Sequence, residues 1–272
     1  MQPLLTILRR TRLLALLAAG LASPALADVV NEGAAVALPR EIMGDEADAR
    51  RYQVCTALVA NDPDAAFDQA LAWRYEGGGP PAWHCAGLAL VALGFHAEAG
   101  EVFERMAREM PAGYQTLQAE VLGQAGQAWL AGGVPGRALA MLDAALGLDD
   151  RNPELLIDRA QALAAQGGYW EAIDDLDRAI ELSRQSGEAY GFRAAAYRYV
   201  GSLELAADDI ARALVLRPDD PVLLLERGNI RRLRGNDAGA RSDWLRILTE
   251  APGTPAAQSA QTNLERLDVN IE

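Results

Sequence analysis

The strongest constraint in this sequence is a period. Segments beginning at Ala119, Pro153, Gly187 and Pro221 are each 34 residues long and line up without a gap. A fifth, beginning at Pro80, joins the register after five extra residues, Tyr114 to Gln118. The eighth place of the segments holds Gly87, Gly126, Ala160, Ala194 and Gly228, and the twentieth holds Ala99, Ala138, Ala172, Ala206 and Ala240. Gly94, Gly133, Gly167, Gly201 and Gly235 stand at the fifteenth place. Larger apolar or aromatic residues fill the fourth, eleventh and twenty-fourth, as Leu156, Leu163 and Leu176 in one segment and Tyr190, Tyr197 and Ile210 in the next. Such repetition demands a stack in which each unit meets mainly its neighbours.

Within a segment the apolar places are spaced for one face of a helix. The fifteenth-place glycine ends a first helix by tolerating a left-handed backbone, and proline at a segment start suits the first turn of the next. Small residues at the eighth and twentieth places allow two helices to approach closely. Each segment therefore reads as helix, tight turn, helix, and the chain as all-α.

The length and the small/large pattern resemble the tetratricopeptide repeat family. Gly168 to Ile173 is similar to its inter-helix turn, and Arg212 to Asp219 to its repeat end. The resemblance spans residues 80–254 as repeats 80–113, 119–152, 153–186, 187–220 and 221–254, and it implies a right-handed α-solenoid. It also implies that the first helix of each repeat lines a concave face through its second, fifth, ninth, twelfth and thirteenth places. Those places hold Glu154, Ile157 and Gln161, then Glu188, Arg198 and Tyr199, then Asn229 and Arg232. Arg198 and Arg232 would there offer donors to a carboxylate.

The chain ends do not share the period. Arg9, Arg10 and Arg12, the apolar run Leu13 to Leu21, and Ala25-Leu26-Ala27 have the layout of a secretory signal cleaved after Ala27. An exported, periplasmic protein is expected, with no later stretch apolar enough to span a membrane. Residues 28–45 read as an irregular lead-in. Residues 46–79 read as a worn helical hairpin, interrupted by Pro63 and by Gly77-Gly78-Gly79. Residues 255–272 read as a capping helix.

Net charge is −13, and removing the signal makes it three units more negative. No basic stripe is available to neutralise phosphates, so nucleic acid is not expected as a partner. The absence of lysine reads as genomic base composition rather than function.

No nucleophile–base pair, phosphate loop or metal motif stands out, so no cofactor, metal or catalytic residue is expected. An enzyme or small-ligand carrier would need a convergent polar pocket. A scaffold for a protein or peptide partner is the better reading, with self-association compatible with it. Cys55 and Cys85, the only cysteines, are 30 residues apart on the first helices of consecutive units, and export favours a disulfide between them. Lastly, Arg159, Arg193 and Arg227 at the seventh place accompany Asp175, Asp209 and Asp243 at the twenty-third. In the other two repeats both charges are absent, replaced by Ala86 with Val102 and Ala125 with Met141. Charges that come and go together point to a ladder of partly buried ion pairs.

Overall fold

The computed structural model describes residues 38–269, so the expected signal segment lies outside the described residues. Fourteen helices and no strand occur among them. Helix α1 is Arg40–Met43, α2 Glu46–Val59, α3 Pro63–Tyr75, α4 Gly79–Ala92, α5 His96–Glu109, α6 Gln115–Ala131 and α7 Pro135–Leu148. Then follow α8 Pro153–Ala165, α9 Tyr169–Leu182, α10 Gly187–Tyr199, α11 Leu203–Leu216, α12 Pro221–Leu233, α13 Asp237–Glu250 and α14 Pro255–Val269.

Local chemistry sets these boundaries. The side chains of Asp62, Asn152, Ser186, Asp220 and Asn236 cap helices by accepting backbone N–H bonds, which satisfies donors that the first turn leaves open. Every fifteenth-place glycine has positive φ, between 74° at Gly133 and 84° at Gly167, and turns the chain from first helix to second. The run at Gly77 to Gly79 is also a turn: Gly77 and Gly79 have φ of 94° and 54°, and a Cβ at Gly78 would lie 2.5 Å from Trp73 Cδ1. One expectation is corrected here. The lead-in is not wholly irregular, since Arg40–Met43 is a short helix. Of the five extra residues, Tyr114 stands at the N-cap and Gln115 to Gln118 are the first turn of α6, anchored by Gln118 Nε2 donating to Ala107 O at 2.8 Å.

Two size rules hold the stack together. Within a repeat, the eighth place faces the twenty-fourth: a Cβ on Gly87 would lie 2.4 Å from Phe103, one on Gly126 2.6 Å from Leu142, and one on Gly228 2.4 Å from Trp244. Alanine takes the same place where Leu176 or Ile210 is the large member. Between repeats, the fifth place faces the third place of the next unit. Gly123 receives Leu155, and Gly191 receives Leu223, with added Cβ atoms 2.7 and 2.4 Å from the leucine Cδ2. In the third repeat the sizes are exchanged. Ile157 stands at the fifth place and Ala189 at the third place of the next unit, both buried in the same core. Close packing of this kind leaves little room to change one member alone.

Candidate functional site

First helices of successive units touch: α2 with α4, α6 with α8, α8 with α10, α10 with α12, and α12 with α14. Second helices of successive units make no comparable contact among the described residues. Closer spacing along one side curves the stack toward that side, so the first helices form the inner face.

Polar groups on this face bond from one unit to the next. The His84 imidazole is buried, with Nδ1 2.6 Å from Tyr52 Oη and Nε2 3.1 Å from Gln124 Oε1. The neutral ring serves both as its Nε2–H tautomer, accepting from Tyr52 and donating to Gln124. Further along, Gln127 Nε2 donates to Asp158 Oδ2 at 2.9 Å. The Arg198 guanidinium holds Glu226 with two bonds, 2.5 and 3.1 Å, and Asn229 accepts from Asn263 at 2.9 Å.

The expected concave residues therefore divide. Glu154 is exposed, and Gln161, Glu188 and Arg232 are half-buried; Arg232 makes no ion pair among the described residues. Tyr199 stacks on Tyr169, ring centroids 4.6 Å apart, and lies under the Arg198 guanidinium at 4.4 Å. Ile157 is corrected: at 1% exposure it is core, packed in the same buried cluster as Leu155, Leu156 and Ala189. Arg198 is corrected as a free donor, since Glu226 already occupies its fork.

The groups missed from sequence are those at the sixth place, Gln124, Asp158 and Glu226. Polar residues there, inside an otherwise apolar helix stripe, were the available signal. Asp158 is 9% exposed. Burial, and then Glu188 and Glu154, push its carboxyl up to about 8 against the opposing bond from Gln127. Glu188 is also raised, by burial and by Glu154, and Glu120 by burial and Asp149. Glu154, Asp158 and Glu188 thus form an acidic row on successive first helices, with Arg217 the cation that offsets the rise at Glu188.

His84 and Asp158 give opposite pH dependences. Burial lowers the imidazole to about 4, so between its ordinary value and 4 the unfolded chain binds a proton that the native chain refuses. Stability from His84 is present above that window and is lost as pH falls through it. Asp158 keeps its proton in the native chain up to about 8, while the unfolded chain releases it near its ordinary carboxylate value. Its contribution is present at low pH and lost as pH rises to 8. Asp158→Asn should therefore flatten the decline in denaturation midpoint from about pH 6.5 to about 8 while leaving the acid-side fall. An unaltered alkaline limb would show that Asp158 is ionised throughout.

Elsewhere the charged residues work in the frame. Arg159 binds Asp175 through Nε and Nη2, both at 2.7 Å, and Asp143 of the preceding repeat through Nη1 at 2.9 Å. Arg193 binds Asp209 at 2.6 and 2.8 Å and Asp177 of the preceding repeat at 2.6 Å. Arg227 binds Asp243 at 3.1 and 2.6 Å, and Arg231 shares that carboxylate at 2.7 Å. Cys55 and Cys85 form a disulfide with Cα atoms 6.2 Å apart, joining α2 to α4. No helix among the described residues is long and apolar enough to cross a membrane.

Stacked antiparallel helix pairs, each closed by a left-handed glycine and packed on a recurring alanine, define a helical-repeat solenoid of the tetratricopeptide type. Solved structures agree. The chain superposes on PilW, a widely conserved type IV pilus biogenesis factor, with TM-score 0.67 at 19% identity, covering 81% of this chain and 100% of that one. It matches TTC0263, a thermophilic tetratricopeptide protein of Thermus thermophilus, with TM-score 0.56 at 21% identity, over 65% and 95% of the two chains. It matches the Cut9–Hcn1 assembly of the APC/C with TM-score 0.65 at 17% identity, over 87% of this chain and 47% of that one. By sequence, no protein-family model and no curated protein matches it. The likeness to these structures is one of fold.

Proposed function

We propose that this chain is an exported, non-catalytic scaffold that holds a segment of a protein partner against its inner face, and that the segment is basic. The carrying observation is the acidic row. Glu154, Asp158 and Glu188 crowd one another, and the carboxyls of Asp158 and Glu188 are raised, first by burial and then by the neighbouring negative charges. A lysine or arginine laid across them would relieve both effects. The disulfide fits an oxidising compartment. The likeness to PilW, described as a type IV pilus biogenesis factor, suits the same setting.

Glu154→Arg with Glu188→Arg is the test, since both side chains reach solvent and neither is a core member. In affinity capture from a periplasmic extract, a partner retained by the wild type should fall about tenfold or more with the double variant, the loss of roughly one charge-assisted contact. Melting should be unchanged. Equal recovery from both proteins would mean that the inner face is not the docking surface.

A further inference from the structure

Comparison of the repeats exposes one missing charge. Arg159 and Arg193 each turn Nη1 toward an aspartate sixteen residues earlier, Asp143 and Asp177. The equivalent residue for Arg227 is Ala211. Asp243 is the only ion-pair partner of Arg227 among the described residues. Ala211 is not merely a substitution on a closed surface. It lines a groove of about 380 Å³ between α11 and α12, and no member of the acidic row is among the lining residues. The buried Leu214 and Ile230 form the groove's floor, Val215 stands beside them at 82% exposure, and Arg227, Arg231 and Arg234 supply guanidinium groups. Arg234 is paired only with the exposed Glu204 among the described residues, a contact that solvent weakens.

We propose that this groove docks a segment of a partner protein in which an aspartate or glutamate neighbours an aliphatic side chain. The carboxylate takes on Arg227 the position that Asp143 takes on Arg159 and Asp177 on Arg193. The aliphatic side chain lies against Ala211 and Val215, the apolar residues of the groove that the stack leaves open. Charge and shape select this occupant together: three guanidinium groups edge the groove, the frame shows twice how a carboxylate satisfies the one at the place of Arg227, and the rest of the lining is apolar. The site is separate from the acidic inner face and asks for the opposite charge, so it goes beyond the scaffold reading above.

Ala211→Asp supplies the test, because it restores within the chain the contact present in the two preceding repeats. Ala211 is exposed, so the variant should fold and melt no lower than the wild type. A displayed library of random peptides is selected on the wild-type protein with depletion on the Ala211→Asp variant. The enriched peptides should share an acidic residue beside Leu, Ile or Val. A synthetic peptide of that consensus should bind the variant, and Val215→Glu, about tenfold or more weaker than the wild type. Its affinity should be unaltered by Glu154→Arg with Glu188→Arg, which separates this site from the inner face. No enrichment, peptides lacking an acidic residue, or equal affinity for wild type and Ala211→Asp would each overturn the proposal. Wild-type dimers in sedimentation that dissociate on Ala211→Asp would overturn it too, by making a second copy the occupant.

Discussion

Asp209→Ala should lower the stability of the array by about 3 kcal/mol, the cost of stranding a desolvated cation. Asp209 is 5% exposed at its side chain and Arg193 14%, and two short bonds join them within one repeat. The truncation leaves Asp177, whose side chain is 48% exposed, as the one ion-pair partner of Arg193 among the described residues. Arg193→Ala in the Asp209→Ala background should then add little, so the cycle should return a coupling of about 2 kcal/mol. The effect is read in the denaturant midpoint at unchanged slope. Additive single effects would mean that the two charges contribute separately. The coupling does not imply that the pair outperforms an apolar one. The first two repeats use Ala86 with Val102 and Ala125 with Met141 at these places, and a buried ion pair is often no more stabilising than such a replacement.

Breaking the Cys55–Cys85 disulfide should cost about as much. The bridge spans 30 residues, and releasing a loop of that size frees unfolded-state entropy worth about 3.5 kcal/mol. The loss falls on one end of the stack. The bridge sits in a small core of its own with Val59, Ala66 and Ala70 of the hairpin and Ala86 and Ala89 of α4, separate from the larger core running through the repeats. In the Cys55→Ala, Cys85→Ala variant, amide exchange should accelerate in α2 and α3 well before α8 to α13. A linear array permits such partial opening. Uniform protection across both regions, with an unshifted midpoint, would show that packing alone seats the hairpin.

The fold was legible because a stack repeats its packing problem, so each place of the sequence could be read five times. The left-handed glycines, the tight alanines and the Arg–Asp partners all stand out under that comparison. What stayed hidden depends on a unit and its neighbour jointly. Asp143 and Asp177 reach Arg159 and Arg193 across a repeat boundary, yet only two repeats carry them, too few to reveal a rule. The pairing of Arg198 is not legible within its own repeat because Glu226, its partner, lies in the following unit. Ile157 shares its place with glycine in two other repeats, and nothing within its own helix distinguishes a residue facing a guest from one facing Ala189. Asp158 escaped notice because a carboxylate inside an apolar stripe is intelligible only once Gln127 is seen beside it.

The exchange of sizes at the junctions carries a consequence for how the units are ordered. Gly123 meets Leu155 and Gly191 meets Leu223, and the same register sets Ile157 against Ala189 in their shared core. Transposing the third and fourth repeats would set Gly123 against Ala189, leaving a void, and Ile157 against Leu223, forcing a collision. Only the middle junction, Gly191 against Leu155, would still mate. Although the units look interchangeable in outline, their edges are keyed, and the chain carries a serial address for each one.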